Sequence, residues 1–407
     1  MHSSPVAQDN RRLSLWWNRN FLLLSFAVFT SNFGSVTLLM SLSLKAYSVT
    51  GSSLIAGAVY GSQWLLPLFF LPLVGWLANR YPLRSMMVVG QASSIVVTVL
   101  ASYCYPAHLP AFFGLMAIRG VLENLAKSSA SVALKIYIAP ALLEKASSYY
   151  DTNRYVSSAA ASLVGVLFLN VISTFQIAAL CSVAFLIAGG CFLLLPQVDA
   201  VAPKAPRPTL AYWGETWKIL KYKPQLRRDF WNLCFVTGIF QGFYYIARSA
   251  LPLGQLGMSL NMAALVQVLI SLTFALGAIV VARFMQTGST LTQILTPFKQ
   301  VIFGACFMAS SVLGHDPLLG TCSFLLCLFF YELQYTTTNN RIILQCTREE
   351  ISYVSAAKYG GLTFCMLDVI AAAGLTADKI GFRNMTYALS AVATIGYASL
   401  NLRRHKD

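Results

Sequence analysis

Charge is scarce in this sequence, and acid is scarcer than base. Only 11% of the 407 residues are Asp, Glu, Lys or Arg, and 14 acidic side chains stand against 29 basic ones. A soluble globular domain carries about 25% charged residues, so the composition excludes an ordinary soluble domain. Soluble cores also stop growing near about 250–300 residues. Cysteine occurs nine times but never as a CxxC pair, and the four histidines (2, 108, 315 and 405) are dispersed. The cysteines lie in apolar runs and read as packing residues, not as disulfides or metal ligands. The histidine spacing fits no zinc motif. The sequence has no P-loop, nucleophile elbow or HExxH helix, which argues against ATP-driven transport by this chain and against a membrane hydrolase. No enzymatic activity, cofactor or metal is expected.

Apolar sequence fills the space that charge leaves. Hydrophobic residues make up 57% of the chain. A membrane-spanning helix needs about 20 predominantly apolar residues. Runs of that kind cover 20–44, 52–77, 84–105, 109–138, 147–172 and 175–195, then 230–253, 261–283, 294–313, 317–343, 351–376 and 380–400. The first run is too long for a signal-peptide core and lacks a small-residue cleavage pattern after it, so it reads as a retained helix.

The net charge of +15 would suggest a nucleic-acid partner in a soluble protein. Its distribution points elsewhere. Arg11, Arg12, Arg19, Arg80, Arg84, Lys145, the run from Lys204 to Arg228, Arg283, Lys299, Arg348 and the C-terminal Arg403, Arg404 and Lys406 all fall in alternate loops. The intervening loops carry only Lys45, Arg248, Lys379 and Arg383, near helix ends. By the positive-inside rule the basic set is cytoplasmic, which puts both termini inside and requires an even number of spans. Twelve spans satisfy that condition, and no nucleic-acid partner is expected.

One break divides the chain. "PQVDAVAPKAPRPTL" is proline-rich and "WKILKYKPQLRR" is basic and partly amphipathic, so residues 196–229 read as a cytoplasmic linker at the anionic membrane surface. The expected units are 1–195, an N-terminal six-helix bundle, and 230–407, a C-terminal one. The two halves echo each other. "HLPAFFG" (108–114) answers "HDPLLG" (315–320), "ENLAKSSAS" (123–131) answers "ELQYTTTNN" (332–340), and "LLEKASSYY" (142–150) answers "REEISYVSA" (348–356). Internal duplication of six spans is a mark of certain secondary transporters.

With these features the chain resembles the major facilitator superfamily. Its most specific motif is "GWLANRYPLR", residues 75–84, similar to the superfamily loop G-x-L-x-D-R-x-G-R-R/K. Gly75, Leu77, Arg80 and Arg84 match, Asn79 replaces the Asp and Pro82 replaces the second Gly. The resemblance implies a latch on the cytoplasmic side, weakened here because Asn79 carries no charge. Residues 17–57 and 142–165 resemble the proton-antiporter branch that holds siderophore and macrolide exporters. The resemblance implies an all-α membrane protein of twelve transmembrane helices in two pseudo-symmetric six-helix bundles. It also implies a bacterial inner-membrane setting, protons as the coupling ion, a small-molecule substrate and a monomer in the lipid bilayer.

Charges in the apolar runs mark the candidate site, because a charge at the bilayer centre costs about 2.5–3.5 kcal/mol on the insertion scale. Arg119, Glu123 and Lys127 lie at i, i+4, i+8 and so share one helix face. Arg154, Arg248, Arg341 and Lys358 are further cations, and Glu332 and Asp368 further acids, six cations to three acids in all. Asn32, Gln241, Tyr244, Tyr245 and Gln334 add polar groups. The resemblance implies that spans one, four, seven and ten line the central cavity, and most of these residues lie on them.

The acids can be ranked. Glu123 has cations on both sides and is expected to stay ionised. Glu332 and Asp368 have none at helical spacing, so burial is expected to raise their affinity for a proton, as proton exchange requires. Glu332 is the first candidate for coupling and Asp368 the second, with Glu123 in an orienting role. Excess cation favours an anionic substrate, and Tyr60, Trp64, Tyr244 and Tyr245 offer aromatic surface to a ring. Arg119, Lys127, Asn32, Gln241, Gln334, Arg154, Arg248 and Lys358 complete the expected substrate-binding set. Export of a small anionic metabolite, a siderophore or peptide-like product, is the leading expectation. Import of an organic anion and a non-transporting receptor or scaffold are the alternatives.

Overall fold

The computed structural model describes residues 15–138, 140–168, 171–197, 211–285, 290–347 and 350–402. Helices account for nearly all of them: α1 (Arg19–Thr50), α2 (Ser53–Arg80), α3 (Leu83–Cys104), α4 (Leu109–Tyr137), α5 (Pro140–Phe168), α6 (Thr174–Leu193) and α7 (Ala211–Tyr222), followed by α8 (Pro224–Ser249), α9 (Leu260–Phe284), α10 (Thr290–Ile294), α11 (Pro297–Ser310), α12 (Pro317–Gln345), α13 (Glu350–Ile380) and α14 (Phe382–Leu402). In hydrocarbon every backbone polar group must be satisfied internally, which the helix does for itself. Among the described residues, eight helices are long and apolar enough to cross a membrane: α1, α2, α3, α4, α6, α9, α12 and α13. The other four expected spans fall on α5 and α8, which carry several charges, on α11 with 14 residues, and on α14.

Helix ends follow local chemistry. Asn18 and Ser52 cap α1 and α2 by accepting from the amides of Phe21 and Ile55. Gly51 closes α1 in the left-handed region at φ 65°. Seventh in the expected order of spans, α8 begins at Pro224, six residues before the apolar run, and continues past Ser249 into a π turn over Ala250–Gln255. The basic residues from Lys223 to Arg228 thus open a helix instead of closing a loop. Most of the proline-rich stretch, 198–210, lies outside the described residues.

Packing groups α1–α6 together, with α4 against α2 and α3, and α1 against α5 and α6. The later helices form a second group, in which α8 packs on α12 and α13, and α11 on α12 and α14. Lipid offers no hydrophobic drive to helix pairing, so close approach through small residues carries it. Gly120 is the clearest case. A Cβ there would lie 2.0 Å from the Gln63 carbonyl oxygen, so only glycine lets α4 meet α2.

The two groups join mainly through α2 with α13 and α5 with α9. Close contacts between them lie at the end away from Arg19, Arg84, Lys223 and Lys299, where Gly57 meets Ile370, Gly374 meets Leu54 and Gly165 meets Ala264. Tyr60 and Val59 share an apolar cluster there with Tyr245, Ala263, Met366 and Ile370. Ser43 Oγ lies 2.9 Å from Ser249 Oγ. Asp378 at the end of α13 accepts from Ser52 Oγ (2.6 Å) and from the Ser53 (2.7 Å) and Leu54 (3.4 Å) amides, so a carboxylate of one group caps a helix of the other.

The opposite, basic end is splayed. Tyr359, Met366, Ile370 and Ala373 lie on one stripe of α13; Met366 and Ile370 are buried, yet Tyr359 toward the basic end is 54% exposed. A cleft therefore opens between the groups at the basic end and closes at the other.

The Asp378 cap is expected to hold the closed end. A lost N-cap costs about 0.5–2 kcal/mol. In Asp378→Ala, hydrogen exchange at the Ser53 and Leu54 amides should quicken by about 2- to 30-fold. Unchanged exchange would show that the cap does not bear on the closed end.

Candidate functional site

The Arg119, Glu123, Lys127 stripe forms one network. Glu123 lies 3.2 Å from Arg119 Nη2 and 2.5 Å from Lys127 Nζ, and it accepts from Ser35 Oγ of α1 at 2.7 Å. Arg119 also donates to Ser35 Oγ at 2.8 Å and lies over the Phe185 ring of α6. Arg119 has no accessible surface at all, whereas the Lys127 side chain is 32% exposed. The structure thus turns Arg119 inward among α1, α4 and α6, away from the cleft where the sequence reading had put it. Lys127 is the member of the stripe that faces open space.

Arg154 of α5 is exposed and lies within electrostatic range of Lys127 and of Tyr335 in the other group. Lys127 and Arg154 give the cleft a cationic wall. Tyr335 and Tyr359 stand on the opposite side, with Glu332 one turn before Thr336 on α12.

Glu332 is buried, and among the described residues its hydrogen-bond partner is Thr336, whose Oγ1 donates to Oε1 at 2.9 Å. Among the described residues it makes no ion pair. Gly277 of α9 makes room for it, since a Cβ there would lie 2.8 Å from Glu332 Cγ. Tyr331 and Phe274, neighbours of Glu332 and Gly277 on their helices, pack edge to face. Sequence reasoning missed Gly277; a small residue in an apolar helix was the available signal.

Arg248 closes the far end of the cleft. It is 6% exposed, its guanidinium lies 4.1 Å above Tyr60 and 5.0 Å from the Tyr244 ring, and Tyr245 stacks on Tyr60 at 5.2 Å. Its Nε donates to Gln267 Oε1 at 2.7 Å, and Gln267 returns a bond to the Arg248 carbonyl oxygen. Among the described residues no carboxylate pairs with it, and aromatic faces take that place. Gln241 accepts from Tyr331 at 3.5 Å beside this cluster. Of the expected residues, Tyr60, Tyr244, Tyr245 and Arg248 thus meet at one point, and Gln267 is the partner the sequence did not reveal.

Four expected site residues lie elsewhere. Asp368 is exposed on the side of α13 that carries Phe364 and Leu375, opposite the face packed on α2 and α8. The expectation that it is buried fails because helical phase against neighbours is invisible in one sequence. Asn32 donates to the Arg154 carbonyl and to Ser157 and Ser158, tying α1 to α5. Gln334 is wholly buried and donates to Thr338 in its own helix. Lys358 reaches Asn339 Oδ1, so it pairs neither Glu332 nor Asp368.

In the basic loop, Arg84 donates to the Leu195 carbonyl and to Gln197, within its own group. Gly75, Asn79 and Arg80 sit in the last turns of α2, and their side chains lie outside the described residues. Among the described residues no three His, Cys, Asp or Glu side chains gather to hold a metal.

The sequence model of the Major Facilitator Superfamily matches residues 22–357. The chain belongs to this superfamily. It is therefore an integral membrane transporter, not an enzyme. Similar solved structures include a POT family transporter in complex with a thioalcohol-conjugated peptide, at 13% identity, 95% coverage of this chain, 96% of that one, and a TM-score of 0.77. The nucleoside transporter NupG aligns at 14% identity, 94% and 98% coverage and a TM-score of 0.71. A structure from work on substrate recognition in proton-dependent oligopeptide transporters aligns at 15% identity, 96% and 99% coverage and a TM-score of 0.69. At such identity these likenesses show the fold alone. No curated protein sequence matches the chain significantly.

Removing Glu123 should be costly, because it strands Arg119 without a counter-charge in the bundle. Breaking a buried pair by deleting one partner costs about 3–5 kcal/mol. Glu123→Ala is expected to lower the unfolding midpoint in detergent markedly, and adding Arg119→Leu should recover much of the loss. An unchanged midpoint in Glu123→Ala would contradict the network.

Proposed function

We propose that the chain is a proton-coupled secondary transporter that exports a small carboxylate-bearing molecule. The observation that carries this reading is Glu332, buried with a threonine and no cation beside a cleft walled by Lys127 and Arg154 and floored by Arg248. A carboxyl group held in this way exchanges a proton at small electrostatic cost to its neighbours, whereas Glu123 is committed to two cations.

Arg154 and Arg248, which no carboxylate pairs among the described residues, favour an anion, and the Tyr60, Tyr244 and Tyr245 faces suit an apolar or ring-bearing body. The peptide named with one structural relative is a molecule of this type. Export follows from the resemblance of residues 17–57 and 142–165 to proton antiporters of siderophores and macrolides.

In mechanism, the units 1–195 and 230–407, joined by 196–229, rock about the cleft. With the basic end cytoplasmic, the arrangement seen here is open to the cell interior. Substrate anion meets Lys127 and Arg154 first and reaches the Arg248 cluster deeper in. Opening of the far end requires release of the Asp378 cap and of the Tyr60–Tyr245 stack. Proton uptake on Glu332 from outside and release inside then returns the carrier. A single polypeptide provides both halves, so the working unit is a monomer in the bilayer.

Proteoliposomes loaded with labelled dipeptides, a hydroxamate siderophore or nucleosides separate the alternatives. The expected result is proton-driven movement of a carboxylate-bearing compound toward the side corresponding to the cell exterior. Glu332→Gln should lose gradient-driven accumulation while keeping substrate counterflow. Wild-type accumulation in Glu332→Gln would sink the coupling role, and movement of nucleosides alone would sink the anionic substrate.

A further inference from the structure

A second polar cavity opens at the basic end, within the later helix group and apart from the central cleft. It measures about 570 Å³ and is bounded by α8, α11, α12 and α14. Arg341 of α12 and Arg228 of α8 line it, together with Asn232, Asp229 and Thr338. Transport as described above makes no use of these residues.

Four features give the cavity its character. First, two helix N-termini open into it, since its wall includes Pro224 and Gln225 of α8 and Thr296 to Phe298 of α11. No side chain caps α8, so the Gln225 amide has no helical or capping acceptor. Helix N-termini favour phosphate and other anions. Second, Asn232 is 4% exposed and lines the cavity, with no hydrogen-bond partner among the described residues. Its amide therefore has donors and an acceptor to offer to whatever occupies the cavity. Third, Arg341 is exposed and makes no ion pair among the described residues. Asp229 is the one acid in the lining, and it accepts from Gln345 Nε2 at 2.8 Å. Asp229 is thus engaged by Gln345, and Arg341 leaves a positive charge at the cavity. Fourth, Phe298 lines it and is 42% exposed, as aromatics at the membrane–water interface are.

We infer that this cavity binds a phosphate ester at the cytoplasmic membrane interface. Arginine forks match phosphate oxygens, the α8 and α11 amides add donors, and Asn232 completes the set. The headgroup of an anionic lipid and a free phosphorylated metabolite share this chemistry. Because α8 carries Asn232 and Arg248, and α12 carries Arg341 and Glu332, a ligand here would clamp the basic ends of both helices that bear the transport site.

The test uses the full-length protein in mild detergent. Native mass spectrometry compares retention of phosphatidylglycerol with that of phosphatidylcholine, and thermal-shift titration uses inorganic phosphate and adenosine monophosphate. Arg341→Gln and Asn232→Leu serve as variants, each checked for an unaltered midpoint without added ligand. Selective retention of phosphatidylglycerol identifies a lipid headgroup, and a shift with the soluble phosphates alone identifies a metabolite. In either case Arg341→Gln should weaken binding about tenfold or more. The proposal is overturned if neither probe class binds above the phosphatidylcholine control, or if binding is the same in wild type and both variants.

Discussion

A charge in a helical bundle cannot draw on water, and each one here must find its solvent in the protein. Glu123 finds it in two cations and a serine hydroxyl within 3.2 Å. Arg248 finds it in aromatic faces and a glutamine. Glu332 finds only a threonine. This unequal provision separates the roles of the charges. Those fully provided for hold helices together, and the one left short is the carboxyl proposed to change its charge.

The same constraint shapes the closed end. Asp378 is matched to helix amides of the opposite group and to a hydroxyl, groups that water can replace when that end opens. Apolar stacking of Tyr60 on Tyr245 completes the closure without a buried ion pair to break. A closure built from neutral and cap interactions costs little to release, which suits a carrier that must alternate. The basic end has the opposite character, with Lys127, Arg154 and Arg341 reaching open space instead of one another.

Much of this was legible in the residues. The i, i+4, i+8 spacing of Arg119, Glu123 and Lys127 placed them on one face, whereas the orientation read from the basic residues stays a proposal. The echo of Glu123 in Glu332 marked the asymmetry between two otherwise matched helices. What one sequence does not carry is the rotation of each helix against its neighbours. For that reason Asp368, with the same apolar surroundings as Glu332, turned out to face outward. Arg119 and Asn32 were also assigned to the cleft, although their polar atoms serve contacts inside the first helix group. Asp378 and Gln267 went unnoticed because their partners lie on other helices. The side chains of Gly75, Asn79 and Arg80 lie outside the described residues, so the cytoplasmic latch implied by the family motif remains a proposal.

The central claim is that Glu332 is the carboxyl that gains and loses a proton. Infrared difference spectra of the reconstituted protein, taken between acidic and alkaline buffer, read that event directly in the carboxyl stretching region. The expected result is a pH-dependent buried-carboxyl band in wild type that survives Asp368→Asn and vanishes in Glu332→Gln. A band that persists unchanged in Glu332→Gln would contradict the claim.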